Sequence, residues 1–313
     1  MSSFRRYGVK PPTGGPGPEG YEPHPKVVAA VNAALAVRQP LLVLGEPGVG
    51  KTDLAESVKH QLGWAFEKFV ARSDSRGRDA IYRFDHLLRL HDAQVLGAAK
   101  DLTQERAAKA NSRFEDDTKY VRMAPLGRAL MSTSPHVVLI DEVDKAPSDF
   151  PDDILNELDK GDILIDELGK SEPAKPGERL VILTSNLKRP LSEPFLRRCV
   201  VVTIPFPDTD HLKRIVRLRN GLDGSAPRTV VGRRVAAATA DAATERFVAV
   251  RRSLDESDWR KIPSIGELLR WVDVLTADPE LADVDLATAP LGALHPGVLI
   301  KTADDARKLG VDV

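Results

Sequence analysis

The sequence predicts an α/β fold in which a parallel five-stranded sheet is flanked by helices and followed by a smaller, all-α C-terminal domain. Five short, mainly apolar runs predict the strands, because strands buried on both faces of a parallel sheet carry such runs; they lie at residues 41–44, 66–71, 137–140, 180–184 and 200–204. Helical patterns separate these runs, and this alternation favours a layered α/β domain. After residue 207 strand-like runs end and helical patterns continue.

Pro- and Gly-rich stretches divide the 313 residues into three parts. Residues 1–24 form an N-terminal arm that is dense in Pro and Gly towards its end. Residues 25–207 form the α/β domain, whose first helix carries Pro25 at a position that tolerates proline. Residues 208–313 form the helical domain, with helices expected at 208–220, 230–252 and 264–277.

The charge balance and the cysteine content exclude several classes of protein. Lys and Arg total 45 while Asp and Glu total 46, so the chain is neither a strongly basic nucleic-acid binder nor an acidic tail protein. This balance does not exclude a local patch of charge. The single cysteine, Cys199, excludes an internal disulfide and fits a reducing cytoplasm. The N-terminus lacks the apolar run of a secretory signal, and no stretch reaches the length of a membrane span. We therefore expect a cytoplasmic protein without a membrane segment.

A glycine-rich string, GEPGVGKT, follows the first predicted strand and matches the phosphate-binding loop pattern in full; it comprises Gly45, Glu46, Pro47, Gly48, Val49, Gly50, Lys51 and Thr52. Glycines allow backbone N–H groups to face phosphate oxygens, and the helix that follows, from Asp53, adds its dipole. Lys51 would reach the β- and γ-phosphates, and the Thr52 hydroxyl would ligate Mg²⁺. We predict that these residues, with Asp53, bind a nucleotide. The N-terminal arm has two open interpretations: a loop without a role, or a segment that lies against this nucleotide.

Two adjacent acids, Asp141 and Glu142, end the third predicted strand. A buried strand would bring Asp141 to its carboxyl end, where Mg²⁺ takes oxygen ligands. Glu142 would then polarise a water molecule for attack on the γ-phosphate. The alternative, a strand that ends in a solvated acidic turn, is weakened by the presence of the phosphate-binding loop.

Polar residues follow the fourth predicted strand and precede the fifth. Asn186 would hydrogen-bond the γ-phosphate or the attacking water, or it would merely begin a turn. Arg197 and Arg198 are the candidate catalytic arginines, because an arginine placed there would face the nucleotide of a neighbouring subunit; solvated helix-end arginines are the alternative. For Cys199 a buried structural thiol is expected, with a redox role as the alternative.

The order GEPGVGKT, LIDEVDKA, ILTSN and LSEPFLRRC, followed by helices, resembles the AAA+ ATPases and, within them, the MoxR family over residues 21–277. The strings APLGRAL, DFPDDILNELDKGDILIDE and PSIGELLRW add to this resemblance. It implies a P-loop AAA+ core with a helical lid, and a hexameric ATP-hydrolysing ring that acts as a chaperone-like remodeller, often beside a von Willebrand factor A partner. It also implies that Asn186 is sensor 1 and Arg198 the arginine finger, while Arg197 stands where the family has Asp.

Two segments depart from a plain core and lid. Gly266 stands where the resemblance places a second sensor arginine, and Arg270, one helical turn later, is a possible substitute. Residues 75–122 form a charged insert, expected to be helical, in a position where the family carries a pore-facing insertion. Tyr82 and Phe84 are therefore either contacts to a client protein or core residues of the insert, and the second alternative is favoured.

These observations lead to one hypothesis and two rivals. We expect a Mg²⁺-dependent ATPase that forms a homo-oligomeric ring and remodels a partner protein; the preference for ATP rests on the family, because the loop does not recognise the base. The first rival is a nucleotide-gated switch or scaffold in a bacterial defence or signalling system. The second is a DNA-dependent motor, which the balanced charge argues against. The histidines have no metal-ligand spacing, so zinc is not expected.

Overall fold

A computed structural model of the chain describes residues 7–8, 21, 23–97, 111–112, 114, 116–186, 189–221, 236–255, 258–282 and 284–312. The strands are, in chain order, β1 (Leu41–Leu44), β2 (Ala65–Val70), β3 (Tyr82–Phe84), β4 (Val121–Met123), β5 (His136–Asp141), β6 (Asp162–Ile165), β7 (Lys170–Pro173), β8 (Arg179–Ser185) and β9 (Val200–Thr203). The helices are α1 (Pro25–Val37), α2 (Lys51–Leu62), α3 (His86–Gly97), α4 (Pro125–Leu130), α5 (Phe150–Lys160), α6 (Glu193–Arg197), α7 (Thr209–Arg219), α8 (Ala237–Arg252), α9 (Ile265–Ala277) and α10 (Ala303–Leu309).

A five-stranded sheet organises the first part of the chain. Its strand order is β2-β5-β8-β1-β9, and every neighbouring pair is parallel. The predicted parallel sheet is therefore confirmed, and the five apolar runs match its strands to within one or two residues. β5 and β8 each extend one residue beyond the predicted run at both ends, β5 to His136 and Asp141 and β8 to Arg179 and Ser185.

Burial explains why the most apolar of these runs form the central strands β5, β8 and β1. The apolar residues of β5 are 0% exposed, and those of β8 are at most 5% exposed. α5 packs one apolar face against this core through Phe150, Ile154 and Leu155, while its first turn also carries the acidic residues Asp152 and Asp153. Strands buried on both faces require an unbroken apolar run, which is why the sequence pattern locates them.

The described chain divides into two compact units. The first unit contains Pro23–Leu44 and Thr52–Thr203 and holds the sheet. The second contains Gly45–Lys51 and Ile204–Val313, so the glycine-rich loop groups with the helical part of the chain. The core of the second unit is formed by α7, α8 and α9 together with the segments that follow them, and includes the fully buried Phe247 and Trp271. Residues 230–235, expected to begin the second of these helices, lie outside the described residues.

The insert differs from the helical segment that its sequence predicts. Tyr82–Phe84 form β3, which pairs with β4 in an antiparallel two-stranded ribbon, and the helix begins only at His86. The helix prediction is therefore wrong at residues 82–84. Tyr82 is 3% exposed, and its hydroxyl donates to Glu167 and accepts from the amide of Asp166. This burial contradicts the client-contact hypothesis for Tyr82 and supports a core role for it. Residues 98–110 of the insert lie outside the described residues.

Tyr7, in the N-terminal arm, is anchored in the first unit. Tyr7 is 1% exposed, its hydroxyl lies 3.0 Å from Ser57 Oγ on α2, and its amide donates to Asn32 Oδ1 on α1. Burial raises the pKa of Tyr7 to about 12. Residues 9–20 and 22 of the arm lie outside the described residues. The hypothesis that this segment lies against the nucleotide therefore stays a prediction. Among the helices that are described, none has both the length and the apolar character needed to cross a bilayer.

Candidate active site

The glycine-rich loop has the backbone conformation that its glycines permit. Gly48 and Gly50 have φ angles of +83° and +88°, which residues with a Cβ atom adopt only with strain. The ammonium of Lys51 donates to the carbonyl oxygens of Gly45 and Glu46, each at 2.8 Å, and the residue is 7% exposed. α2 begins at Lys51, so Thr52 and Asp53 lie in its first turn. This arrangement places backbone N–H groups and a lysine at a helix N-terminus, which suits an anion.

Within the first unit, the hydroxyl of Thr52 meets the carboxylate that ends β5. Thr52 Oγ1 lies 3.2 Å from Asp141 Oδ2 and 3.4 Å from Asp141 Oδ1. These residues are 89 positions apart in the chain, and the contact joins the first turn of α2 to the carboxyl end of the sheet. The structure thus brings together the two residues that the sequence predicts as Mg²⁺ ligands.

Two further side chains, which the sequence did not indicate, bind the same carboxylate. Thr184, in β8, is fully buried and donates its hydroxyl to Asp141 Oδ1 at 2.6 Å. Lys68, in β2, places its ammonium 3.1 Å from Asp141 Oδ2. β8 and β2 are the neighbours of β5 on either side, so both residues follow from the strand order. Together they fix the orientation of Asp141 and balance its charge.

Glu142 follows β5 in a left-handed backbone conformation, with φ at +60°. Its amide donates to Thr184 Oγ1 at 2.9 Å, so one buried hydroxyl holds both acidic residues in place. Its carboxylate forms an ion pair with Lys145, three residues later, at 2.5 Å. The left-handed backbone conformation is uncommon for a residue other than glycine and costs about 1 kcal/mol. This turn directs the second acid away from the path of the strand, next to the first.

The oxygen donors at the end of β5 fit Mg²⁺. This ion is commonly held by one or two carboxylates together with phosphate oxygens and water, rather than by a cage of protein ligands. Thr52 and Asp141 supply a hydroxyl and a carboxylate, both of which are hard oxygen donors. Among the described residues, no group of three or more His, Cys, Asp or Glu side chains forms a separate metal cage.

Asn186 and the two arginines lie at other points of the first unit. Asn186 immediately follows β8 and is half-buried, and its backbone N–H donates to the buried carboxylate of Asp144 at 3.2 Å. Arg198 is the C-cap residue that follows α6 and donates to Asn156 Oδ1 on α5 at 2.9 Å, whereas Arg197 pairs with Glu193 in its own helix at 3.0 Å. The two arginine side chains are 44% and 80% exposed. They are therefore on the surface, available to another molecule.

Cys199 is 9% exposed, as the structural-thiol hypothesis requires, and burial raises its pKa to about 12. In the second unit, Gly266 lies in the first turn of α9. A Cβ atom added to Gly266 would lie 4.0 Å from Arg270 Nη2, so the Arg270 guanidinium reaches back to the position where the second sensor arginine is expected. The side chain of Arg270 is exposed.

A comparison with known protein families assigns this chain to a family. Residues 40–199, just over half of the chain, match the AAA domain of the dynein-related subfamily. The chain belongs to this AAA family. The matched range includes the phosphate-binding loop, Asp141 and Glu142, Asn186 and both arginines. The family supports nucleotide binding by an ATPase-type protein; the match does not specify MoxR, so that narrower assignment remains a prediction.

Individual relatives are distant. CD-NTase-associated protein 6 of Pseudomonas aeruginosa is 26% identical over 213 residues, which cover 65% of this chain and 59% of that protein. The chain thus spans about three fifths of the length of this curated relative. A RuvB mutant from Thermotoga maritima is 14% identical, with a TM-score of 0.45 over 92% of this chain and 81% of that chain. The Thermotoga maritima RuvB Holliday junction branch migration motor is 17% identical, with a TM-score of 0.39 over 92% and 80% of the two chains.

Proposed function

We propose that this protein is a Mg²⁺-dependent ATPase that works as a homo-oligomeric ring, a hexamer of the MoxR type, and uses hydrolysis to remodel a partner protein. The observation that carries the proposal is the contact between Thr52 and Asp141, at 3.2 Å, with Glu142 as the next residue. A hydroxyl from the phosphate loop beside a strand-end carboxylate is the arrangement in which P-loop enzymes hold Mg²⁺ against two phosphates.

Each residue then has a defined task. The glycine-rich loop and Lys51 bind the β- and γ-phosphates, and Thr52 and Asp141 hold Mg²⁺, which neutralises phosphate charge when it is bound. Glu142 orients the attacking water and accepts its proton. Asn186 contacts the γ-phosphate or this water. Thr184 keeps both acids in position through its two hydrogen bonds.

The arginines supply the reason for assembly. Arg198 is exposed at the end of α6 and contacts α5 rather than the acidic pair, so we assign it to the nucleotide of a neighbouring subunit. A head-to-tail interface of this kind closes into a ring when its rotation permits. A protein client, or a von Willebrand factor A partner, would receive the conformational change.

The test is a comparison of Glu142→Gln with the wild-type protein. The variant keeps the size of the side chain and removes the base, so we expect unchanged binding of a fluorescent ATP analogue and a fall in phosphate release of about 10²-fold or more. Glu280→Gln, on an exposed turn of the second unit, is the matched control and should keep the wild-type rate. Wild-type turnover by Glu142→Gln would overturn the assignment, and failure of the wild type to bind ATP would overturn the proposal.

A second candidate is a nucleotide-gated switch in a bacterial defence or signalling system. Two observations favour it: the name of the Pseudomonas aeruginosa relative, which associates that protein with a CD-NTase, and Gly266 at the position of the second sensor arginine. Phosphate release measured with and without candidate partner proteins separates the two functions. A rate that rises with an unfolded or complexed client supports the remodeller, whereas slow hydrolysis with partner binding that depends on the bound nucleotide supports the switch. Added DNA should leave the rate unchanged, which would dismiss the DNA-motor alternative.

A further inference from the structure

The guanidinium of Arg251 is nearly buried within the second unit, although the residue belongs to no predicted motif. Arg251 lies in the last turn of α8, and its side chain is 11% exposed. An arginine is seldom buried without partners, because removing its charge from water is costly. Its surroundings therefore indicate what it binds.

Three different groups surround this guanidinium. Nη2 donates to Oε2 of Glu46 at 2.5 Å, and Nη1 donates to the carbonyl oxygen of Pro263 at 2.5 Å. The ring of Phe206 lies under the guanidinium, with its centroid 3.7 Å from Cζ, in cation–π contact. Charge-assisted hydrogen bonds of this type are shorter and stronger than those between neutral groups. The orientation of Arg251 is thus fixed on two edges and one face.

Glu46 is the second residue of the phosphate-binding loop, 205 positions before Arg251 in the chain. A carboxylate in this loop opposes the binding of a polyphosphate, because like charges repel at short range. Arg251 neutralises that carboxylate and ties it to α8. A second close approach lies two residues further on, where a Cβ atom on Gly48 would be 3.2 Å from Ser264 Oγ. The loop is thus held at Glu46 by α8 and bordered at Gly48 by the start of α9.

We propose that Arg251 is a positioning residue of the phosphate-binding loop and that it acts through the carboxylate of Glu46. The inference rests on the proposed nucleotide binding by this loop. The contacts that the structure gives for the Arg251 guanidinium are with Glu46, Pro263 and the ring of Phe206, and we therefore assign its effect to the Glu46 carboxylate. Arg251 thereby connects nucleotide affinity to the helices of the second unit, where the second sensor arginine is replaced by Gly266.

The experiment is a double-mutant cycle on the full-length chain, with Arg251→Met, Glu46→Gln and the combined variant, read by titration with a fluorescent ATP analogue. Arg251→Met leaves the Glu46 carboxylate unneutralised, and we expect it to weaken binding about tenfold. Glu46→Gln removes the repelling charge and should bind a few-fold more tightly. The combined variant should recover most of the lost affinity, because the charge that Arg251 neutralises is absent.

Control variants separate this role from a general effect on folding. Arg252→Met removes the neighbouring, exposed arginine of α8 and should bind the ATP analogue with wild-type affinity. Arg251→Lys keeps the positive charge but loses the forked guanidinium that donates to two partners. Its affinity for the ATP analogue should lie between those of the wild type and Arg251→Met. Melting temperatures identify any variant that fails to fold. A combined variant that binds as weakly as Arg251→Met, or an Arg251→Met protein with wild-type affinity, would overturn the inference.

Amide hydrogen exchange of the loop provides a readout that does not depend on nucleotide. We expect faster exchange at Gly48–Lys51 in Arg251→Met and unchanged exchange in Arg252→Met. If the wild type fails to bind nucleotide, the proposed function is wrong, and the exchange result still decides whether Arg251 holds the loop. Unchanged exchange in Arg251→Met would contradict that role.

Discussion

Replacement of Arg198 by alanine is expected to lower the rate of catalysis strongly while changing stability little. Arg198 Nη1 donates to Asn156 Oδ1 at 2.9 Å, and Nε lies 3.7 Å from Asp159 Oδ2. Both the arginine and the aspartate are largely exposed, at 44% and 66%. Solvent screens such contacts, so the substitution should lower the free energy of unfolding by no more than about 1 kcal/mol.

The effect on catalysis should be much larger. An arginine supplied to the transferred phosphoryl group increases turnover by about 10³-fold or more. A 10³-fold loss corresponds to about 4 kcal/mol in the activation free energy. The substitution should therefore change the catalytic barrier several times more than it changes stability, while the phosphate-binding loop keeps its affinity for the nucleotide.

The assay combines phosphate release, titration with a fluorescent ATP analogue and urea unfolding. Arg197→Ala is the matched control, because it removes the same charge from the adjacent position and its described contact is an exposed pair with Glu193, within the same helix. We expect Arg198→Ala to bind nucleotide normally and lose turnover, and Arg197→Ala to retain most of its turnover. Wild-type turnover by Arg198→Ala, or a loss confined to Arg197→Ala, would refute the assignment of the finger.

Three further predictions concern buried groups. Thr184→Val removes a hydroxyl that makes two hydrogen bonds to the acids of β5 and should lower the free energy of unfolding by about 1–3 kcal/mol in urea; an unchanged midpoint would contradict this. Because burial raises the pKa of Cys199 to about 12, the native protein should not react with a disulfide reagent at pH 8, whereas the unfolded protein should; rapid labelling of the native thiol would be the opposite result. Burial alone would raise the pKa of Glu267, but hydrogen bonds from Ser264 lower it overall, so its stabilising effect is present above about pH 4.3 and is lost as the pH falls. Glu267→Gln should flatten the acid limb of the stability profile, and an identical limb would exclude this contribution.

The parts of the site that are encoded in short strings were predictable. The glycine-rich string and the two acids at the end of β5 each lie within one local sequence pattern, and within the first unit Thr52 contacts Asp141. The three central strands β1, β5 and β8 were predictable for the same reason, since burial on both faces imposes an unbroken apolar run. The edge strands β2 and β9 are partly exposed, and their apolar patterns are weaker.

Other features depend on which strands are neighbours. Lys68 and Thr184 reach Asp141 because β2 and β8 flank β5, and neither residue stands in a recognisable motif. Arg251 meets Glu46 across 205 positions, a distance over which no local pattern carries information. Strand order and long-range pairing arise from the packing of the whole chain, so these partners could be found only in the structure.

Local ambiguity accounts for the remaining differences. The residues around Tyr82 fit a helical pattern in part, but the pairing of β3 with β4 and the burial of Tyr82 favour a strand. After residue 278, prolines interrupt the chain and the apolar residues show no regular helical or strand spacing. There the structure has short 3₁₀ turns and α10, and buries Leu294, Leu299 and Ile300 in the core of the second unit.

The central claim, that each catalytic site combines Glu142 of one subunit with Arg198 of the next, is tested most directly by mixing two inactive variants. Arg198→Ala and Glu142→Gln are each expected to release phosphate at least about 10²-fold more slowly than the wild type. When the two are co-expressed in equal amounts, random assembly pairs an intact Glu142 with an intact neighbouring Arg198 at about one quarter of the sites. The account predicts recovery of about a quarter of the wild-type rate in the mixture. A mixture as inactive as its components would contradict it.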